Sequence, residues 1–66
     1  MNYHPDHKVN RICQRIIDAL RKDKMSAGEL SMALTLWGYD VDVALNALAA
    51  GGHVTRNNEY KWELTQ

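Results

Sequence analysis

The sequence predicts a small α+β domain of three helices followed by a β-hairpin, on three observations. Apolar residues recur at helical spacing from Val9 to Leu20. A Ser26/Glu29 pair opens a second helical region that closes on Gly51-Gly52. Residues 53–65 read as two β-prone segments around an Asn-Asn turn. The 66 residues make one domain, and a chain this short buries only about 60% of its unfolded surface, so its core is small and leaves no room for a large active-site cleft.

Each element has a local reason. Met1 to Pro5 carries no periodic apolar signal and reads as a loose arm. Asp6 is a suitable N-cap for a first helix whose apolar residues Val9, Ile12, Cys13, Ile16, Ile17 and Leu20 form one stripe. Its outer face holds Lys8, Arg11, Arg15, Asp18 and Lys22, and Asp18 can pair with Arg15 and Lys22 at helical spacing. The Ser26 hydroxyl and Glu29 carboxylate form a capping box for a second helix whose apolar residues Ala27, Leu30, Ala33 and Leu34 recur at helical spacing. Trp37-Gly38-Tyr39 interrupts that pattern, and Asp40 offers an N-cap for a third helix that buries Val41, Ala44, Leu45 and Leu48. Gly51-Gly52 closes it, because glycine takes a left-handed C′ conformation without a Cβ penalty.

In the hairpin, Tyr60, Trp62 and Leu64 share one strand face, and Val54 should join them in the core. A two-residue Asn57-Asn58 turn would put Val54 on the wrong face. A three-residue loop of Asn57-Asn58-Glu59 pairs Val54 with Trp62, with an Asn or Glu59 near the left-handed region. Met25 can add a one- or two-residue third strand.

The eight basic and eight acidic residues give no net attraction to nucleic acid or an anionic membrane, so distribution has to carry any electrostatic role. Residues 1–24 hold six basic against three acidic residues, a net +3. Residues 25–52 hold Glu29, Asp40 and Asp42 with no Lys or Arg, a net −3. One cysteine cannot form an internal disulfide, and no signal peptide or long apolar run is present, so a cytoplasmic protein outside the membrane is expected, read here as a whole small protein.

The order helix, short strand, helix, turn, helix, hairpin, with the spacing Leu30-x3-Leu34-x-Leu36-x4-Val41-x3-Leu45-x2-Leu48-x3-Gly52-x-Val54, resembles the winged helix-turn-helix family of small bacterial and phage regulators. The resemblance runs from about Val9 to Thr65 and implies a single winged-helix domain over 8–66, preceded by the unpatterned start of the chain as a flexible arm over residues 1–7. It also implies that the third helix enters a DNA groove, presenting Tyr39, Asp40, Asp42, Val43 and Asn46, while the wing contributes Arg56, Asn57, Asn58 and Lys61.

This chain departs from that pattern. Two aspartates and no basic residue on the reading helix repel phosphates, and bidentate guanine contacts are unavailable. Val43, Ala47 and Ala50 instead make a smooth apolar stripe, with Asn46 between and Trp37 and Tyr39 beside it in the turn. The competing reading makes the alanines simple helix formers and has Trp37 filling the core.

Two functions follow. In the first, a non-enzymatic adaptor or inhibitor binds a protein partner or its own twin through Trp37, Tyr39, Asp42, Val43, Asn46, Ala47 and Ala50. In the second, a DNA-binding regulator uses Arg11, Arg15, Arg21, Lys22 and Lys24 with Asn46, Arg56, Asn57, Asn58 and Lys61. His4, His7 and Cys13 lack a second close ligand pair, so no metal is expected. No phosphate-cradling loop or nucleophile with a base is present, so no enzyme, cofactor or small-molecule substrate is expected either.

Overall fold

The computed structural model describes residues 3–65; Met1, Asn2 and Gln66, which belong to the expected arm and domain, lie outside the described residues. Helices α1 (His7–Leu20), α2 (Ala27–Leu34) and α3 (Gly38–Ala50) precede strands β1 (Val54–Arg56) and β2 (Trp62–Leu64), which pair antiparallel. This is the expected α+β layout, consistent with a winged helix. The core comprises Ile12, Cys13, Ile16, Ile17 and Leu20 from α1, Leu30 from α2, Val41, Ala44, Leu45 and Leu48 from α3, and Val54 from β1. α1 packs most extensively on α3, and Trp62, half-buried, closes the hairpin over the helices.

The helix starts follow from capping chemistry at two of three sites. The Asp6 carboxylate accepts from the Lys8 and Val9 amides at 2.8 and 3.5 Å. Ser26 Oγ accepts from Glu29 N–H at 3.1 Å while the Glu29 carboxylate accepts from Ser26 N–H at 2.8 Å, which completes the capping box. The third start differs from expectation. Trp37, not Asp40, is the N-cap of α3 and makes no side-chain capping bond, so Asp40 lies inside the first turn. There its charge still suits the positive end of the helix, and its carboxylate lies 3.9 Å from Lys8 Nζ.

The reason lies one turn upstream, where α2 ends at Leu34 with Thr35 left-handed at φ 55°. Leu36 N–H donates to Ser31 O at 2.9 Å, Ser31 Oγ donates to Leu36 O at 2.5 Å, and Arg15 donates to Leu34 O at 2.9 Å. A left-handed β-branched residue costs on the order of 1–3 kcal/mol. Half-burying both Leu34 and Leu36 against the core offsets it. Gly38, the glycine the sequence offers for this turn, is the first residue of α3. α3 itself ends as expected: Gly52 is left-handed at φ 77°, and the Gly52 and His53 amides donate back to Ala49 O and Leu48 O at 3.0 and 2.8 Å.

The hairpin loop has the expected three residues but sits one position later. Val54 pairs with Leu64, Thr55 with Glu63 and Arg56 with Trp62. An Asn57 N–H to Lys61 O bond of 2.8 Å then leaves Asn58-Glu59-Tyr60 as the loop, and Tyr60 holds the left-handed position at φ 62° instead of an Asn or Glu59. Asn57 Oδ1 nucleates the turn by accepting from Glu59 N–H at 2.8 Å and Lys61 N–H at 3.1 Å. The partner of Val54 moves by two residues, so Val54, Trp62 and Leu64 keep their expected shared face. Tyr60 leaves that face for the loop.

Met25 forms a single-residue antiparallel bridge to Trp62, with N–H to O bonds of 3.2 and 2.6 Å, the short third strand expected. The arm is less loose than expected from Tyr3 onward. Tyr3 is half-buried, its N–H donates to Asn10 Oδ1 at 2.5 Å, and its ring meets His53 edge-on with centroids 5.0 Å apart.

Urea unfolding tests this account. Ser26→Ala should lower stability by about 1 kcal/mol, from the lost capping box. Ile16→Ala should cost about 2–5 kcal/mol as a cavity in a fully buried position. Thr35→Gly should raise stability by about 0.5–1 kcal/mol, because glycine occupies the left-handed region without strain.

Candidate interaction surface

The face that α3 turns outward is set by where its core residues point. With Val41, Ala44, Leu45 and Leu48 inward, Tyr39, Asp42, Asn46 and Ala49 share the opposite side, and all four are exposed. The expected Val43/Ala47/Ala50 stripe is rotated from this face. Val43 and Ala47 are half-buried, Ala47 packs against the core, and only Ala50 is exposed.

Trp37 does not fill the core. It is 81% exposed, beside Tyr39 at 78% and Met32 at 84%. Ser31, Met32, Thr35, Leu36 and Trp37 line a shallow groove of about 410 Å³ at this corner between α2 and α3. Met32 was absent from the sequence-derived set. The available signal was its place two residues after inward Leu30, which puts it on the outside of α2. Large apolar side chains clustered in water mark contact surfaces more often than isolated ones do.

The basic residues fall into two groups. Arg11, Arg15 and Lys22 lie along one stripe of α1 and the turn after it, with Asp18 among them. Arg15 is engaged at the end of α2, and Arg21 Nη1 pairs with Asp18 at 2.9 Å. The second group is on the wing, where the Arg56 guanidinium lies 5.7 Å from the Trp62 ring centroid and 5.8 Å from that of Tyr60. Tyr60 itself is 74% exposed. The Asn57 side chain is spent on the turn, Asn58 is exposed, and Lys61 is half-buried. Met25 bridging to Trp62 puts the turn that carries Lys22 and Lys24 at the sheet edge opposite the strand bearing Arg56.

His4, His53 and the cysteine serve separate local contacts. His4 Nδ1 accepts from Asp6 N–H at 2.9 Å, His53 meets Tyr3, and Cys13 lies in the core with Sγ 3.6 Å from Ala44 O. Among the described residues no group of three or more His, Cys, Asp or Glu could hold a metal ion, and no helix is long and apolar enough to cross a membrane. Burial pushes the Cys13 thiol above its ordinary pKa, and the smaller effect of a hydrogen bond with the backbone of Cys13 itself acts in the other direction. No family model, curated protein or solved structure matches the chain.

The raised thiol pKa has a signed consequence. The neutral thiol favours the folded state fully below the unfolded-chain pKa, and that advantage fades as pH rises through the folded value. The urea midpoint should therefore fall above pH 9.0, the ordinary value of the group. Cys13→Ala, less stable overall, should show a shallower fall over the same range.

Proposed function

We propose that this chain is a small non-enzymatic winged-helix regulator of the cytoplasm that acts by binding protein through the corner between α2 and α3. The observation that carries this reading is the exposure of Met32, Trp37 and Tyr39 together at 84, 81 and 78%. Tryptophan, tyrosine and methionine are enriched in the cores of protein interfaces, where burying each ring removes about 150–250 Å² from water. Asp42 and Asn46 continue the surface along α3 and supply polar contacts at its rim. Against DNA the same surface is poorly suited, since Asp42 is exposed on it and no Lys or Arg occurs from residue 25 to residue 52.

The second reading, a DNA-binding regulator, is favoured by the wing. Arg56 lies over Trp62 and Tyr60 at a hairpin tip, and an arginine presented there can meet a phosphate or a narrow groove.

Fluorescence anisotropy of labelled mixed-sequence duplex at about 50 and 200 mM salt separates the two. Protein binding predicts no saturable, salt-sensitive signal. It also predicts that a partner captured from host lysate by the wild-type chain is lost with Trp37→Ala or Asn46→Arg. Duplex binding that falls steeply between the two salts, and weakens with Arg56→Ala plus Lys61→Ala, would return the chain to the DNA-binding reading.

A further inference from the structure

A second groove, of about 380 Å³, lies between α1 and α2. Ala19, Met25, Ala33 and Leu34 supply its apolar lining, and Arg15 and Lys22 stand on its rim. Asp18 also borders it, but its carboxylate is taken by Arg21 Nη1 at 2.9 Å and Gln14 Nε2 at 3.2 Å. Arg15 is fixed at the rim by its bond to Leu34 O. The groove is thus apolar with a positive border.

The α2–α3 corner is its counterpart. Met32 and Trp37 project there; of the three acids on α2 and α3, Glu29 and Asp42 are exposed, while Asp40 is half-buried and already faces Lys8 at 3.9 Å. One molecule therefore carries a recessed apolar surface with a basic border and a projecting apolar corner on helices whose exposed charges, Glu29 and Asp42, are acidic. Both are built on α2, with Ala33 and Leu34 on one flank and Met32 on the other.

We propose that the α1–α2 groove receives the Met32/Trp37 corner of a second copy of this chain. This rests on the reading of the corner as a protein-docking surface and names its occupant. Apolar burial of the Trp37 ring drives the contact, while Arg15 and Lys22 facing the acids of the other copy orient it and make it salt-sensitive. Reciprocal contacts close a two-fold dimer, and one-way contacts leave an open series.

Analytical ultracentrifugation of the full chain up to millimolar concentration tests the proposal. The expected result is a mass that rises above 7.5 kDa with concentration and falls back with added salt. Trp37→Ala removes the projecting ring and Ala33→Glu blocks the groove, both at exposed positions, so folding should be retained. Each variant alone should associate at least tenfold more weakly than wild type. An equimolar mixture should associate more tightly than either, because one variant keeps the groove and the other keeps the corner.

A wild-type chain that stays monomeric overturns the proposal, and so does a mixture no tighter than its components. If the wild type is monomeric yet a captured host protein is lost with Trp37→Ala and kept with Ala33→Glu, self-association falls while the docking corner stands. If neither occurs, the docking reading falls with it.

Discussion

The apolar stripe of α1 is the surface on which the other elements depend. Ile16 and Cys13 are fully buried, and Ile12, Ile17 and Leu20 nearly so, which leaves α1 with one face that only the rest of the chain can cover. α3 covers most of it with Val41, Ala44, Leu45 and Leu48. α2 adds Leu30, and the hairpin adds Val54 with Trp62 and Leu64 packed around it. In a chain of this size no element has a second core to fall back on, so each turn must bring its helix or strand onto that stripe.

That demand explains the backbone at the chain reversals. Thr35 takes a left-handed conformation that its side chain disfavours, because Leu34 and Leu36 flank it and both pack against the core. Tyr60 does the same at the hairpin, where Trp62 is held on one side by Arg56 and on the other by Met25. With Trp62 committed in both directions, the loop has to absorb the conformational cost. At Gly52 the cost is absent, and the exit of α3 closes with amide bonds to Ala49 and Leu48.

The same packing distributes the surface chemistry. Arg15 of α1 and Lys22 of the turn after it border the α1–α2 groove, while Met32 and Trp37 project at the α2–α3 corner and the exposed charges of α2 and α3, Glu29 and Asp42, are acidic. A molecule with no net charge thereby has two faces of opposite character. The segregation seen along the chain survives folding because each helix is short and presents one outward face.

Helix and strand identity, the α1 stripe, the capping box and the glycine exit of α3 were legible in the sequence, because each depends on residues near one another in the chain, while the Met25 bridge to distant Trp62 was legible only from the place of Met25 in the order of elements. The N-cap of α3, the position of the wing loop and the surroundings of Trp37 were not. Asp40 had the right chemistry for a cap, but the early end of α2 at Thr35 started α3 at Gly38 and put Asp40 within the first turn. Periodicity placed Val43 and Ala47 outward, yet both are half-buried and Ala47 packs against the core. Local sequence thus determined which residues form helices and strands, and which of their faces are apolar. Only the tertiary structure decided whether Met32 and Trp37 are covered, since that depends on where neighbouring elements end in space and not on the residues beside them in the chain.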